Sequence, residues 1–563
     1  MDTANVFHPG LILIVGALVA APLRGNLRQA ATLLFPLFAL FAVWQLPDGA
    51  AWHLRYLDYE LAPLAADKLS RLFAAIFTLM AFGGALFALG QKNRVEVPAA
   101  LLYAGSAVGV ALAGDLVTVF VFWELMAIGS TLVVWSAGTP LAWRASVRYL
   151  AVHLFGGVLL MAGIAGHVAD TGSVAFARMA LDSPAHWLIL AGFLVNAGAP
   201  PLSAWLPDAY PEASWSGTVF LSAFTTKTAV YVLLRGFPGT ELLIWIGVFM
   251  IFYGIVYALL ENDMRRILAY SIVNQVGFMV VGIGIGTEMA LNGAAAHAFT
   301  HIIYKALLLM SAGAVLYRTG RRKCTDLGGL FQSMPLTAVC GIIGALSISS
   351  FPLTSGFISK SMVAQAAADQ HLLAVWMLLA AASAGVFLHA GIKFPWFVFF
   401  QKDSGLRPAE PPKNMQAAML FFSALCIGLG VYPDPLYAML PFPVDYAPYT
   451  GAHVVAQLQL LLFSGLAFFV MLNFLKRTLT ITLDVDWFYR IAGARLVAAV
   501  GGLISRTLES VSAALARRSG ALHATLLRQH GPEGTLARTW PTGSMAIWVV
   551  VLLLAYLVLY YLY

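Results

Sequence analysis

Apolar runs of membrane-crossing length, parted by short polar or charged stretches, recur along the whole chain of 563 residues. A helix needs about 20 apolar residues to cross the hydrocarbon core. The pattern predicts about sixteen such helices by that criterion. They fall at 9–23, 29–46, 69–90, 97–114, 116–137, 147–168, 186–206, 216–236, 241–260, 266–285, 289–317, 336–369, 372–400, 414–432, 455–475 and 543–562. A β-barrel would show short alternating segments instead, so the predicted class is an all-α polytopic membrane protein. The first run, Leu11 to Leu23, lacks a basic flank and reads as a retained helix rather than a signal peptide. After the fifteenth span the period changes. Leu496, Val500, Leu503, Leu508, Val511 and Leu515 recur at helical spacing between Arg490, Arg495, Arg506, Glu509, Arg517 and Arg518. This is an amphipathic surface helix, either resting on lipid headgroups or bracing neighbouring subunits. Unbroken, it would reach roughly 60 Å at the helical rise; Ser519–Gly520 is the point where it could stop.

Two spans are interrupted. The seventh reads NAGAPPLSAWLPDAY, with Pro200 and Pro201, and the twelfth SISSFPLTSGFISK, with Pro352 and Gly356. Proline removes a backbone donor and clashes with the preceding turn. Open backbone at membrane depth survives only inside protein or along a wet cavity. The breaks lie five spans apart, so spans 4–8 and 9–13 read as two five-helix copies. An odd number of helices per copy inverts one against the other, as in many transporters. The expected organisation is N-terminal helices (1–95), first repeat (96–237), second repeat (238–400), C-terminal core helices (401–480), amphipathic surface helix (481–535) and a terminal span (536–563).

Composition agrees: 60% of residues are hydrophobic and 10% charged, against about 25% charged in soluble proteins. The net charge of +7 sits in alternate loops. Arg24 and Arg28, Lys92 and Arg94, Arg144 and Arg148, Arg265 and Arg266, Arg318 to Lys323, Lys402 to Lys413, and Lys476 and Arg477 follow odd-numbered spans. The seventh is the exception, with Asp208 and Glu212, and the opposite loops are acidic or mixed, as from Asp48 to Asp67. Positive-inside asymmetry then puts these loops in the cytoplasm and both termini outside, as expected of a multi-pass protein of the bacterial inner membrane. Cys324, Cys340 and Cys426 form no C-x-x-C pair, so no metal site or cluster is expected. No glycine-rich phosphate loop and no basic soluble face are present, so neither a cofactor nor nucleic acid is expected.

Ionisable side chains inside the spans are the candidate chemistry, because each costs at least ~2.5–3.5 kcal/mol at bilayer depth. His297, His301 and Lys305 follow one another at i, i+4 and i+8, which stacks them on one helical face. That arrangement reads as a proton path rather than a metal site, since neither Cys nor carboxylate accompanies the histidines. Glu124 is mid-span, flanked by Phe122 and Trp123; Asp115 lies nine residues earlier, in a wetter setting near the outer end. Lys227 lies in span 8, with Arg235 nearer the interface. Lys360 follows the second break and Lys393 stands beside His389; one of the two marks the outlet. Asp263 and Arg265 open span 10, where orientation by positive charge is the plainer reading.

The motifs FWELMA, WLPDA, NDMRRILAYS, HAFTHIIYKALLLMSAG and SGFISK resemble, in order and spacing over about 65–400, the antiporter-like membrane proteins. These comprise the proton-pumping membrane components of respiratory complex I, the A-type and D-type components of Mrp cation/proton antiporters, and counterparts in membrane-bound hydrogenases. The LHAGIKFPWFVFF stretch and the single-unit length resemble the Mrp D type. The resemblance implies fourteen core helices in two inverted repeats, and a mid-membrane charge chain. It assigns to that chain Glu124, Lys227, Lys305 and Lys360, with Arg265 in place of a lysine. Nine residues before the Trp of WLPDA the family usually has a lysine, whereas this chain has Asn196; the usual glutamate–lysine pair cannot form. The C-terminal amphipathic segment exceeds the D-type length and is similar to the lateral arm of longer members. The expected function is a proton-translocating subunit of a multisubunit Na+ or K+/proton antiporter, partnered by other membrane subunits. A pumping subunit of a complex I-like or hydrogenase assembly is the alternative in the same class. Outside that class stand a non-conducting scaffold and a catalytic oxidoreductase subunit, the latter opposed by the missing redox motifs.

Overall fold

A computed structural model describes residues 6–473, 484–485 and 487–563; Lys476 and Arg477 lie outside the described residues. The chain begins with α1 (Pro9–Ala20), α2 (Gly25–Trp44), the strands β1 (Gly49–Tyr56) and β2 (Tyr59–Ala66), and α3 (Lys68–Phe87). Next come α4 (Glu96–Leu112), α5 (Leu116–Trp135), α6 (Pro140–Thr171), α7 (Pro184–Ala197), α8 (Trp205–Ala209), α9 (Gly217–Leu221) and α10 (Thr225–Gly236). They are followed by α11 (Leu242–Leu260), α12 (Met264–Ile285), α13 (Glu288–Thr319), α14 (Pro335–Ile348), α15 (Ser355–Asp369) and α16 (Leu373–Val386). The chain ends with α17 (Lys413–Val431), α18 (Asp434–Ala438), α19 (Gly451–Val470), α20 (Ala494–His530) and α21 (Thr542–Leu562). Among the described residues, thirteen helices are long and apolar enough to cross a membrane, and four apolar ones are shorter. All sixteen expected spans have a counterpart among them; α20 is the remaining long helix. The protein is an all-α, multi-pass membrane protein.

The chain divides into two compact units, Met1–Asp486 and Trp487–Tyr563. In the first, α12 and α13 form the axis and are buried almost throughout. In the second, α20 runs unbroken through Ser519 and Gly520, so the pair does not end it. Leu496, Leu503 and Leu515 on α20 are exposed.

The antiparallel β1–β2 hairpin was not predicted. Its two-residue turn, Leu57–Asp58, holds Leu57 at φ 53°, between the paired Tyr56 and Tyr59. Leucine seldom adopts that conformation, and no Asn-Gly or Gly-x pair announces the turn.

The breaks are where proline places them, and their polar groups are met locally. α7 ends at Gly198, with φ 75°, and the carbonyl of Val195, which takes the Gly198 N–H at 3.1 Å, also accepts the Trp205 indole N–H at 2.9 Å. After α14, Ser350 and Leu353 both have positive φ, and Ser347 and Ser355 share a hydrogen bond of 2.9 Å across the gap. A side chain at Gly356 would strike the Ser347 carbonyl. Two further departures from regular helix occur, the first with no proline beside it and the second with Pro395 between its two stretches. Ser222–Phe224 interrupts the eighth span between α9 and α10, and π-helical stretches Phe387–Lys393 and Trp396–Phe400 follow α16.

Candidate functional site

The axial helices bring together Lys227, His297, His301, Lys305 and Lys360, all buried. Each lysine holds main-chain carbonyl oxygen. Lys227 Nζ donates to Ser222 O at the α9–α10 break, 2.6 Å, and to Thr226 Oγ1, 3.1 Å. Lys360 Nζ donates to Ile348 O at the α14–α15 break, 2.6 Å, and lies 4.9 Å from the centre of the Phe278 ring. Lys305 Nζ donates to Ser271 Oγ, 2.9 Å, and Leu268 O, 3.4 Å. Breaks expose carbonyl dipoles that a cation can use, so helix interruption and lysine belong to one device. Among the described residues, none of these ammonium groups has a carboxylate within 4.0 Å.

His297 approaches Ser359 Oγ at 3.3 Å through Nδ1 and the Tyr304 hydroxyl at 3.4 Å through Nε2. Both ring nitrogens of His301 are buried without a hydrogen-bond partner among the described residues. The ring centres of His297 and His301 are 6.1 Å apart, and that of Tyr304 is 5.2 Å from His301. His301 is within electrostatic range of Lys227, Lys305, His297 and Lys360, and His389 continues the file toward Lys305, Lys360 and Lys393.

Lys393 does something different. Its ammonium donates to the carbonyls of Ala258, 3.1 Å, Leu259, 2.5 Å, and Glu261, 2.6 Å. It therefore caps the C-terminal end of α11.

Glu124 stands apart from the cationic file. It is half-buried, its Oε1 has no hydrogen-bond partner among the described residues, and its carboxyl lies against Gly157 of α6. Asn196, in the last turn of α7, accepts the His153 Nδ1–H at 2.6 Å. Asp115 is 2% exposed, not the wetter group expected. It caps α5 through Thr118 N and Oγ1 and also accepts Ala62 N–H at 2.9 Å, since the unpredicted hairpin covers it. Asp208 accepts Arg148 Nε at 2.7 Å and Nη2 at 2.8 Å, one on each carboxylate oxygen. Asp263 caps α12 and meets Arg322 at 2.8 Å. Burial pushes its carboxyl up, against the pull of that guanidinium and the Arg265 amide. Arg265 clamps the chain after the first break, donating to the carbonyls of Pro211, 2.8 Å, Ala213, 2.8 Å, and Ser214, 2.7 Å.

Sequence reasoning missed three features. His153 is one of two histidines in span 6, the other being His167. Ser222–Phe224 breaks with no proline. Glu96, placed at a loop edge, is buried and accepts Gln91 Nε2 at 3.1 Å to each oxygen, Ser136 Oγ at 3.2 Å, and the Ser216 hydroxyl.

The family model described as NADH:quinone oxidoreductase/Mrp antiporter, TM matches residues 113–387. The A/B component of a probable K(+)/H(+) antiporter of Rhizobium meliloti is 30% identical over 400 residues, 66% of this chain and 40% of that protein. The D component of the Na(+)/H(+) antiporter of Alkalihalophilus pseudofirmus is 34% identical over 272 residues, 45% of this chain and 55% of that protein. The matched stretch thus spans about half the length of these relatives. Among solved structures, a chain of the membrane-bound sulfane sulfur reductase, an archaeal respiratory membrane complex, aligns with TM-score 0.70 and 24% identity, over 98% of this chain and 99% of that one. That likeness is one of fold.

Proposed function

Since the chain belongs to the NADH:quinone oxidoreductase/Mrp antiporter transmembrane family, we propose that it is a proton-translocating subunit of a multisubunit Na+ or K+/proton antiporter in the bacterial inner membrane. The observation that carries this reading is the file of buried lysines, each bound to backbone carbonyls or hydroxyls and none to a carboxylate. An ammonium paired with a carboxylate is locked charged. One held by a carbonyl at a helix break can lose its proton once the break shifts or wets. Lys227, His301, Lys305, His297 and Lys360 then exchange protons along the axis, and Lys360, on the second break, is the outlet. Lys393, capping α11, is outside the path. Residues 96–237 and 238–400 act as inverted half-channels. α6 and α13 each have 32 residues, and α7 and α14 each have 14 and begin with proline, as copies of one unit would.

Moving one proton against 100 mV takes about 2.3 kcal/mol, and the file itself supplies none of it. An opposing cation gradient, delivered with other membrane subunits, is the source in this reading. A second reading, a pumping subunit of a respiratory membrane complex, is favoured by the fold likeness that runs through α20 and α21. Identifying the chains that purify with this one separates the two.

Lys305→Ala tests the shared core of both. Cation-driven or redox-driven dye quenching in inverted vesicles should vanish while the complex still assembles. Quenching at the wild-type rate would end the reading.

A further inference from the structure

We propose that His153, oriented by Asn196, is a proton carrier of the first half-channel, linking Glu124 to Lys227; this rests on the proton-translocating reading above. His153 is buried. Its Nδ1–H is tied to Asn196 Oδ1 at 2.6 Å, which fixes the tautomer and leaves the lone pair on Nε2. That atom is buried and has no hydrogen-bond partner among the described residues. A buried polar atom left so costs roughly 1–3 kcal/mol, and a proton or a water that delivers one is the partner that fits it.

Its surroundings reach both neighbours. Gly157, one turn along α6 on the same face, is the residue against which the Glu124 carboxyl lies. On the other side the ring centre lies 4.1 Å from that of Tyr149, the two planes tilted by 52°. The Tyr149 hydroxyl donates to Ser130 Oγ, 3.0 Å, and meets Thr225 Oγ1 at 3.3 Å. Thr226, the next residue, accepts from Lys227. Hydroxyls thus line the interval between the His153 ring and the helix that carries Lys227.

The internal symmetry agrees. His153 is the fourteenth residue of the 32-residue α6, and His301 the fourteenth of the 32-residue α13. Lys305 of α13 corresponds to Gly157 of α6, whose missing side chain makes room for Glu124. The first half therefore carries an imidazole and a carboxylate where the second carries an imidazole and an ammonium. Asn196 is a positioning residue.

Three variants test this in inverted vesicles holding the assembled complex. His153→Gln should lower the initial rate of dye quenching at least tenfold, with assembly within twofold of wild type. Asn196→Lys in that background should recover at least half the lost rate, by supplying a different titratable group. Asn196→Asp should move the pH profile of transport at least one unit alkaline, because a carboxylate beside Nδ1–H favours the imidazolium. The titratable groups on the elements packed there are Tyr149 on the same helix, 4.1 Å from the ring centre, Glu124 on α5, whose carboxyl lies against Gly157, and Asp208 on α8, which pairs with Arg148 beside the Trp205 ring at 4.6 Å; all are unchanged in that variant. Wild-type quenching in His153→Gln, where Lys305→Ala is silent, overturns the assignment of His153 alone. Wild-type quenching in both overturns the proton-translocating reading with it. If His153→Gln does not assemble, an unshifted profile in Asn196→Asp overturns the assignment.

Discussion

Lys393→Met separates a helix cap from a proton outlet. The substitution keeps the length and most of the apolar volume of the stem and removes the ammonium. Three carbonyls at the end of α11, those of Ala258, Leu259 and Glu261, then lose their donor. Hydrogen bonds with one charged partner are worth roughly 1.5–3 kcal/mol each, and the favourable helix-end charge adds about 0.3–2 kcal/mol. Against this, the variant no longer buries an ammonium, which relieves several kcal/mol of desolvation. The net loss is about 3 kcal/mol, most of it the cost of leaving buried carbonyls unsatisfied. The assay is paired: the thermal midpoint of the detergent-purified complex, and dye quenching normalised to assembled complex. The expected result is a clearly lower midpoint with quenching within twofold of wild type. An unchanged midpoint with quenching abolished would refute the cap and return Lys393 to the path.

Three further outcomes follow from local geometry. Gly520→Ala, at an exposed position in the middle of α20 with open space around it, should stabilise that helix by about 1 kcal/mol, read as higher helicity of a peptide of residues 487–530; unchanged helicity would mean the continuous helix is not formed by local sequence. Glu96→Gln sets an amide against the Gln91 amide and should lower the thermal midpoint by the equivalent of about 2 kcal/mol, with little change if the two amides simply flip. Burial pushes the His8 imidazole down to about 4 from 6.5, against the raising effect of its bond to the Pro63 carbonyl, while Nδ1 caps α1 by accepting the Gly10 and Leu11 amides. The folded state thus binds fewer protons than the unfolded one, so this stability is whole above pH 6.5 and lost as pH falls toward 4, about 2 kcal/mol of it by pH 5. His8→Asn, which keeps a cap acceptor but does not titrate, should flatten the thermal midpoint between pH 7 and 5; an equally steep decline would place the acid sensitivity elsewhere.

Membrane class, the places of the apolar helices, the two proline breaks and the row of titratable residues on α13 were legible in the chain, for one reason. A bilayer imposes a length on every apolar run and a free-energy penalty on every buried charge, and both are written locally in residue type and spacing. What each charge touches was not legible, because partners come from distant helices. Lys393 and Lys360 look alike in sequence, yet one caps α11 and the other holds a carbonyl at a break. Asp115 looked wet until the hairpin covered it. The break before Lys227 has no proline to announce it, and His153 gained its meaning only when α7 brought Asn196 to its ring. Hydrogen-bond geometry across helices is decided by packing, which no single segment encodes, and so the inventory of charges belonged to the sequence and their roles to the fold.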